Sequence, residues 1–595
     1  MKDKTFKLVM LLFAFLIVIM TYPLVFRITT HIPGFFSTDE SYSVLWNAWF
    51  LKFSLAHKLS ITKTNLIAYP FGMNTSPLAY IFFAVNYILA ILTTPVLTYN
   101  LQILMNLFLV AVFNYLLVYF LTNNRLCGIF SGIIFAFCPY IFVRAWQHLG
   151  ETYLWMMPMV LLGVFILREN PSKKIKTFCV LGLVLTTLNF NVVHYMIVAL
   201  TTFIAYLLFS YLAHRKRRKK NISNKDRKHL KNVFIVSLLA LLVVVPQFYP
   251  IVKGTVLSKG TTPSAFNSYR RPFDDLFTQS AKPLSYVLPA AMHPVFGNFT
   301  KWFIGSPLYG VSYTEHTLYL GWIPLIFAFI AWKKWRKRKK AKAKKQETIS
   351  TGNENFYIGF FVLLAIVAWL FSQPPYFTFP YFKIYMPSFF MYKLLPMFRA
   401  YCRFGVVVML AVSILAGFGL KFFLGKFRRT TTKIIVTGLL SGLVLFEFWN
   451  YPPFKVIDVT KYHTVYNWLK SQEGDFVVAE YPLDVDSPNE YYKLRQIIHE
   501  KKIINATLPG SPANKIAKTI WKLSAPKTAG ILRWMKVKYV LVHLGSYEKS
   551  NDMEIVNELR KVKTKRLPGL RLIKSFDDVD VYEVRAKAIE PIKND

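Results

Sequence analysis

Twelve apolar stretches of 17–22 residues, parted by short polar loops, run through the first 450 of the 595 residues. A helix of that length matches the hydrocarbon core of a bilayer, roughly 30 Å thick. Inside lipid a chain must satisfy its backbone polar groups internally, so stretches of this kind fold as membrane-crossing helices. They lie near 6–26, 79–97, 100–121, 126–143, 152–168, 174–190, 192–212, 232–251, 316–334, 354–372, 403–424 and 433–450. With 54% hydrophobic residues, the chain is too apolar for a soluble globular protein. Lys2, Lys4 and Lys7 precede the first stretch as in a signal peptide, but no small-residue cleavage site follows, so an uncleaved first span is expected.

A net charge of +43 raises the question of nucleic acid, and its distribution argues against it. Residues 1–450 carry +36 of it, concentrated at 168–176, 214–231, 333–345 and 421–433 between apolar stretches. Basic residues in short loops are the mark of the cytoplasmic side, where they face anionic lipid. Fixing those loops inside places 144–151, 189–191, 252–315 and 373–402 outside. If all twelve stretches crossed, the N-terminal lysines would also lie outside. The weakest stretch is 79–97, bracketed by Pro77 and Pro95 and interrupted by Asn86. Read as an interfacial or re-entrant helix, it leaves eleven crossings, a cytoplasmic N-terminus and an extracytoplasmic C-terminus.

From Tyr451 the pattern becomes that of an α/β unit. Helical periodicity appears at 465–471, 489–499 and 553–562, and β-type runs at 476–481, 502–506, 539–543, 570–573 and 579–584. The expected organisation is a transmembrane unit over 1–450 and an extracytoplasmic α/β domain over 451–595. Cys127, Cys138, Cys179 and Cys402 lie in or beside apolar stretches without metal-ligand spacing, so neither disulfides nor a cysteine metal site is expected.

Only twelve acidic residues precede position 451, and seven fall on the outer side: Asp39, Glu40, Glu151, Asp274, Asp275, Glu315 and Glu447. Carboxylates beside hydrocarbon are costly and tend to mark function. Each alone is explicable as a solvated loop residue. Their collection on one side with His148, His194, His293 and His316 points to a shared aqueous cavity. In the first outer loop, Ser37 or Thr38 can cap a helix whose first turn holds Asp39 and Glu40; alternatively, one of these carboxylates is a general base toward a substrate hydroxyl. The second outer loop packs Arg144, Gln147, His148 and Glu151 into eight residues. Four such groups between two stretches are more than spacers need: His148 can carry a proton and Glu151 can orient it or bind a sugar hydroxyl, and the plain alternative for Arg144 is an anchor at headgroups. Arg270, Arg271, Arg399 and Arg403 run against the inside bias. Headgroup contact explains them, and so does bidentate binding of a lipid-carrier phosphate.

In this layout the chain resembles the GT-C superfamily of membrane glycosyltransferases. The likeness rests on the acidic first loop (Thr38-Asp39-Glu40), the acidic second loop (Glu151), and phrases at 46–49, 69–72, 275–294, 315–321 and 396–404. Those phrases look like bacterial YfhO-type and related proteins. The resemblance implies transfer of a sugar from a polyprenyl-phosphate carrier to an extracytoplasmic glycan, a teichoic-acid-type polymer or a lipid. It also implies roles. Asp39 takes the acceptor proton, with Glu40 as substitute; His148 and Glu151 position the sugar; Arg270, Arg271, Arg399 and Arg403 hold the lipid phosphate, with Asp275 and Glu315 in the same substrate region. Neither loop holds two aspartates one residue apart, so neither a metal nor another cofactor is implied. The alternative is a non-catalytic flippase, a transporter or an envelope assembly factor. Transporters show inverted repeats and midplane charges, and the sequence shows neither.

Overall fold

The computed structural model describes residues 4–34, 39–74, 80–169, 172–218, 231–232, 234, 242, 271–343, 352–394, 396, 398–449, 455–483, 486–507, 511–548 and 553–591. Most of the expected span at 232–251, most of the basic loop at 214–231, and Arg270 fall outside them.

Among the described residues, six helices are long and apolar enough to cross a membrane, or seven if one bent pair is a single span. That pair is Arg125–Ala136 and Pro139–Gln147, bent by 41°. Its cause is local: Pro139 has no N–H to continue the ladder, so the stretch read as one span over 126–143 is two pieces. Helix Pro95–Thr122 shows how tightly the sequence sets its ends. The Thr94 hydroxyl accepts the Leu97 N–H, and Asn123 stops the helix in the left-handed region. Asn124 then starts the next helix by accepting from the Leu126 and Cys127 N–H groups. The preceding helix, Tyr80–Leu92, has 13 residues. At 1.5 Å per residue it is about 20 Å long, too short to cross. Asn86, which interrupts it, is buried and accepts from the Gln102 side chain at 2.9 Å. The stretch read at 316–334 is helical only from Trp322; Gly321, at φ +82°, turns the chain into the helix and leaves Glu315–Leu320 as a loop.

Helix Gly405–Leu424 is the axis of the bundle and is buried along nearly its whole length. A β-carbon on Gly419 would sit 1.9 Å from the Phe327 carbonyl oxygen, so glycine is what lets helix Trp322–Ala343 approach. Asn114 joins three helices by donating to the Ser131 hydroxyl at 3.0 Å and the Ser413 hydroxyl at 3.2 Å. In the outer layer, helix Lys4–Met20 buries Val9, Phe13 and Ile17 and exposes Leu8, Leu11 and Phe15.

Residues 477–584 form a five-stranded sheet in the order 570–576, 579–584, 537–543, 477–481, 502–503. The 477–481 strand is parallel to both its neighbours, and the two strands at the other edge are antiparallel. Helices Val465–Ser471, Asp486–His499 and Met553–Lys563 accompany it. This unit is fused to the first loop. His31–Pro33 pairs antiparallel with Val456–Asp458. Residues 66–69 extend the sheet, with Ile503 N–H bonded to Leu66 O at 2.8 Å and Ala68 N–H to Asn505 O at 2.9 Å. Trp46, Phe50 and Ile67 share one apolar core with Val478, Ile503 and Tyr539.

Candidate functional site

Helix Asp39–Ala56 carries the first-loop carboxylates on its opening turn. Two contacts fix where that turn sits. The Ser41 hydroxyl donates to the Trp146 carbonyl at 2.8 Å and lies 2.9 Å from the Tyr99 hydroxyl, which donates to the Ala145 carbonyl at 3.0 Å. The helix start is thereby held against the second outer loop, and Glu40 bonds His148 Nδ1 directly. The far half of the helix is gripped by helix Asp486–His499: Trp46 Nε1–H donates to Gln496 Oε1 at 2.7 Å, and Gln496 donates on to Leu66 O at 2.6 Å. Asp39 opens the helix; its side chain is outside the described residues.

Beside Glu40 and His148 lies a compact set of charges. Glu315 receives Arg144 through both terminal nitrogens, at 3.1 and 2.7 Å. The same carboxylate receives Arg403 from Nε at 3.1 and 3.2 Å and from Nη2 at 2.6 Å. Arg403 Nη1 reaches Glu151 at 3.1 Å, and the other Glu151 oxygen accepts the Tyr195 hydroxyl at 3.1 Å. His148 Nε2 stands 3.9 Å from Glu315, so the imidazole lies between two carboxylates. Bidentate guanidinium–carboxylate geometry is the strongest form of such a contact, and here it is repeated on one glutamate.

Burial alone raises the Glu315 carboxyl, but the charges of Arg144 and Arg403 and their hydrogen bonds outweigh it and hold the group well below the usual carboxylate range. Glu40 behaves alike to a lesser degree. Surrounding protein raises it, while the charge and hydrogen bond of His148, then the charges of Arg403 and Arg144, bring it below its ordinary value. Its side chain is nevertheless 62% accessible, against 8% for Glu315. Glu315 is therefore a buried anchor, whereas Glu40 is open to solvent.

Asp275 and Arg399 form a separate pair at 3.2 Å. Arg399 lies four residues before Arg403 in sequence, and its side chain is 45% exposed. Arg271 is exposed, and its backbone is tied to Pro396 O at 3.1 Å. Six sequence-derived residues with described side chains (Glu40, His148, Glu151, Glu315 and Arg403, with Arg144 from the same loop) thus come together, and Asp275, Arg399 and Arg271 group apart from them.

Of the two readings of Arg144, the headgroup alternative falls away: the side chain is wholly buried on Glu315 and above the Tyr140 ring at 4.8 Å. Tyr195 and Cys402 were not singled out, although Cys402, a neighbour of Arg403 in sequence, also points at Glu315 at 3.4 Å. His293 and His316 serve packing: His293 bonds the Phe446 carbonyl at 2.7 Å and His316 the Ser280 carbonyl at 3.1 Å. Among the described residues no group of three or more His, Cys, Asp and Glu is placed to hold a metal ion. An open cleft of about 450 Å³ lies toward the other end of the Asp39–Ala56 helix, between Phe50, Leu59, Phe71 and Met73, and none of the charged cluster lines it.

No protein-family model matches the chain, and no curated protein does. Solved structures do. The archaeal oligosaccharyltransferase AglB from Archaeoglobus fulgidus, in complex with an inhibitory peptide and a dolichol-phosphate, is 11% identical with a TM-score of 0.49, over 100% of this chain and 75% of that one. The arabinofuranosyltransferase AftD from Mycobacteria is 12% identical with a TM-score of 0.50, over 99% of this chain and 42% of its own. A second class of the same AftD mutant gives 13% and 0.45 over 97% and 41%. This chain therefore spans well under half the length of AftD. At such identity the likeness is one of fold alone, shared with AftD.

Proposed function

We propose that the protein is a membrane glycosyltransferase that moves a sugar from a polyprenyl-phosphate carrier to a hydroxyl on an extracytoplasmic glycan, teichoic-acid-type polymer or lipid. One observation carries the reading: the accessible Glu40 carboxylate is fastened to His148 beside the buried Glu315–Arg403–Glu151 cluster. In the reaction the acceptor oxygen attacks the anomeric carbon, and the bond from that carbon to the phosphate oxygen breaks. The leaving phosphate keeps the electron pair. The acceptor proton passes to Asp39 or Glu40 as the new bond forms. A depressed Glu40 carboxyl is ionised at neutral pH and ready to accept it.

Arg399 and Arg271 are exposed and lie beyond the buried cluster, which supports a role for them, with Arg270 next in sequence, in meeting the lipid phosphate. Charge grows on that phosphate in the transition state, where fixed cations are most effective. Arg403 has most of its donors engaged by Glu315 and Glu151, so its part is to hold Glu151 and, through Glu315, the edge of His148. Glu151 and His148 position the sugar. Residues 1–450 make the membrane unit with about eleven crossings, and 451–595 an extracytoplasmic unit that steadies the first-loop helix. Narrower kinship with YfhO-type proteins belongs to the same proposal. The test is mass spectrometry of cell-surface polymers and lipids from a deletion strain beside wild type. Loss of one sugar substituent supports the reading, and an unchanged surface with an altered distribution of a polar lipid between leaflets favours the flippase alternative.

A further inference from the structure

Between helix Gly352–Ser372 and the arginine segment lies a stretch that no step of transfer uses. Residues 373–394 contain nine aromatic residues, two lysines and no carboxylate. Tyr376–Thr378 and Lys383–Tyr385 pair as a β-hairpin, closed by Phe379 N–H on Phe382 O at 2.9 Å. A strand packed on a core buries alternate residues, and this hairpin does not. Phe377, Phe379, Tyr381, Phe382, Ile384 and Tyr385 are all exposed, from 39% to 97%. An isolated two-stranded hairpin is marginal in water, and an apolar patch of this kind marks a contact with something else.

What covers it follows from its surroundings. The patch continues the lipid-facing side of the preceding span, where Ile366 and Trp369 are 50% and 44% exposed. It runs on into Phe390 and Leu394 of the following short helix, Pro387–Leu394. Its root is fixed by packing of Tyr376 on Phe277, centroids 5.0 Å apart. The charge it offers is cationic: Lys383 lies over the Tyr376 ring at 4.6 Å and Lys393 over the Phe389 ring at 4.5 Å. Lysine ammonium groups held over ring faces at the edge of an apolar patch suit the boundary between acyl chains and phosphates.

We infer that hairpin 376–385 is inserted in the bilayer leaflet on the side of the charged cluster, with phospholipid as its partner. Its rings lie among the upper acyl chains, and Lys383 and Lys393 sit at the headgroup phosphates. The consequence reaches the site, because the Tyr392 hydroxyl donates to the Arg271 carbonyl at 2.5 Å. The hairpin thereby sets the depth of Arg271 and Arg399 against the layer of lipid phosphates. This inference rests on the reading of the chain as a membrane protein and not on sugar transfer.

The test uses the full chain in lipid nanodiscs. Cys127, Cys138 and Cys402 are buried, so Cys179→Ala leaves a quiet background. Tyr381→Cys on that background is labelled with a small environment-sensitive fluorophore, and Lys587→Cys, exposed on the C-terminal unit, is the aqueous control. Lipids bearing a nitroxide on the acyl chain should remove most of the emission at 381 and leave 587 unchanged, while aqueous iodide should do the reverse. Phe382→Cys is a second site should Tyr381→Cys express poorly. Full emission at the hairpin site in nitroxide lipid overturns the inference, whether or not the protein transfers sugar.

Discussion

Removing Glu315 leaves two guanidinium groups short of a counter-charge, one of them wholly buried. Arg144 has no exposed surface, and its charge contacts with carboxylates run through Glu315. Arg403 would keep Glu151. Breaking a buried ion pair from one side costs about 3–5 kcal/mol, because the surviving charge stays desolvated. Glu315→Ala should fall in that range, and Arg144→Leu should cost similarly by stranding part of Glu315. The double variant Arg144→Leu/Glu315→Leu removes both charges, and apolar replacement of a buried pair is often nearly neutral. It should therefore recover much of the single-variant losses, giving a coupling energy within the range of about 0.5–3 kcal/mol, at the upper end. The assay is thermal or denaturant unfolding in one detergent, followed by tryptophan fluorescence and by the fraction remaining monodisperse. Additive losses, or a Glu315→Ala variant as stable as wild type, would refute the claim that Glu315 is the buried anchor of this cluster.

Trp46→Phe and Gln496→Ala, which break the grip on the first-loop helix 39–56, should lower transfer turnover more than they raise the apparent donor KM; equal effects on both would remove the positioning role. His499 is buried against Tyr466, and burial brings its imidazole down to about 4. An unfolded histidine titrates near 6.5, so between those values the unfolded chain binds the extra proton, and stability is lost as pH falls from about 6.5 to 4, by about 3 kcal/mol at about 1.4 kcal/mol per unit. His499→Phe should flatten that limb of the stability–pH curve; an unchanged slope would show that another group titrates there. Glu40, a carboxylate held low, contributes stability that is complete above its unfolded value of about 4.3 and is lost as pH falls through its lower folded value, so the stability difference between wild type and Glu40→Gln should shrink as pH falls below about 4.3.

Local chemistry was readable in the sequence, and long-range pairing was not. The helix Val465–Ser471 and the strand Val579–Val584 follow from side-chain periodicity alone, and the shortness of Tyr80–Leu92 from its bracketing prolines. Pro95 opens the next helix, and Asn86 is a buried polar residue within the short one. The sequence left Arg144 open between a part in the loop's polar group and a headgroup anchor, because an arginine at the end of an apolar stretch often snorkels to headgroups. Its actual partner lies 171 residues later, and nothing nearby announces it. Likewise Asp275 and Arg399 meet across 124 residues. The clustering of carboxylates on one side was visible as composition; which carboxylate is buried and which accessible depended on two arginines converging on Glu315. His293 and His316, counted toward a cavity, instead satisfy backbone carbonyls, a demand that exists only once the loops have folded.

The central claim is that the first-loop carboxylates receive the acceptor proton, and transfer of a labelled sugar by purified protein in detergent measures it directly. Asp39→Asn keeps a side chain able to cap the helix, and Glu40→Gln keeps a hydrogen bond to His148, so neither should disturb folding. A general base contributes typically 10²–10⁴-fold, and an amide takes up no proton at neutral pH. The account predicts that wild type moves sugar from a polyprenyl-phosphate donor and that one of these two variants loses at least roughly 10²-fold of that rate. Wild-type transfer by both variants would contradict it and move the search for the base to Glu151 or Asp275.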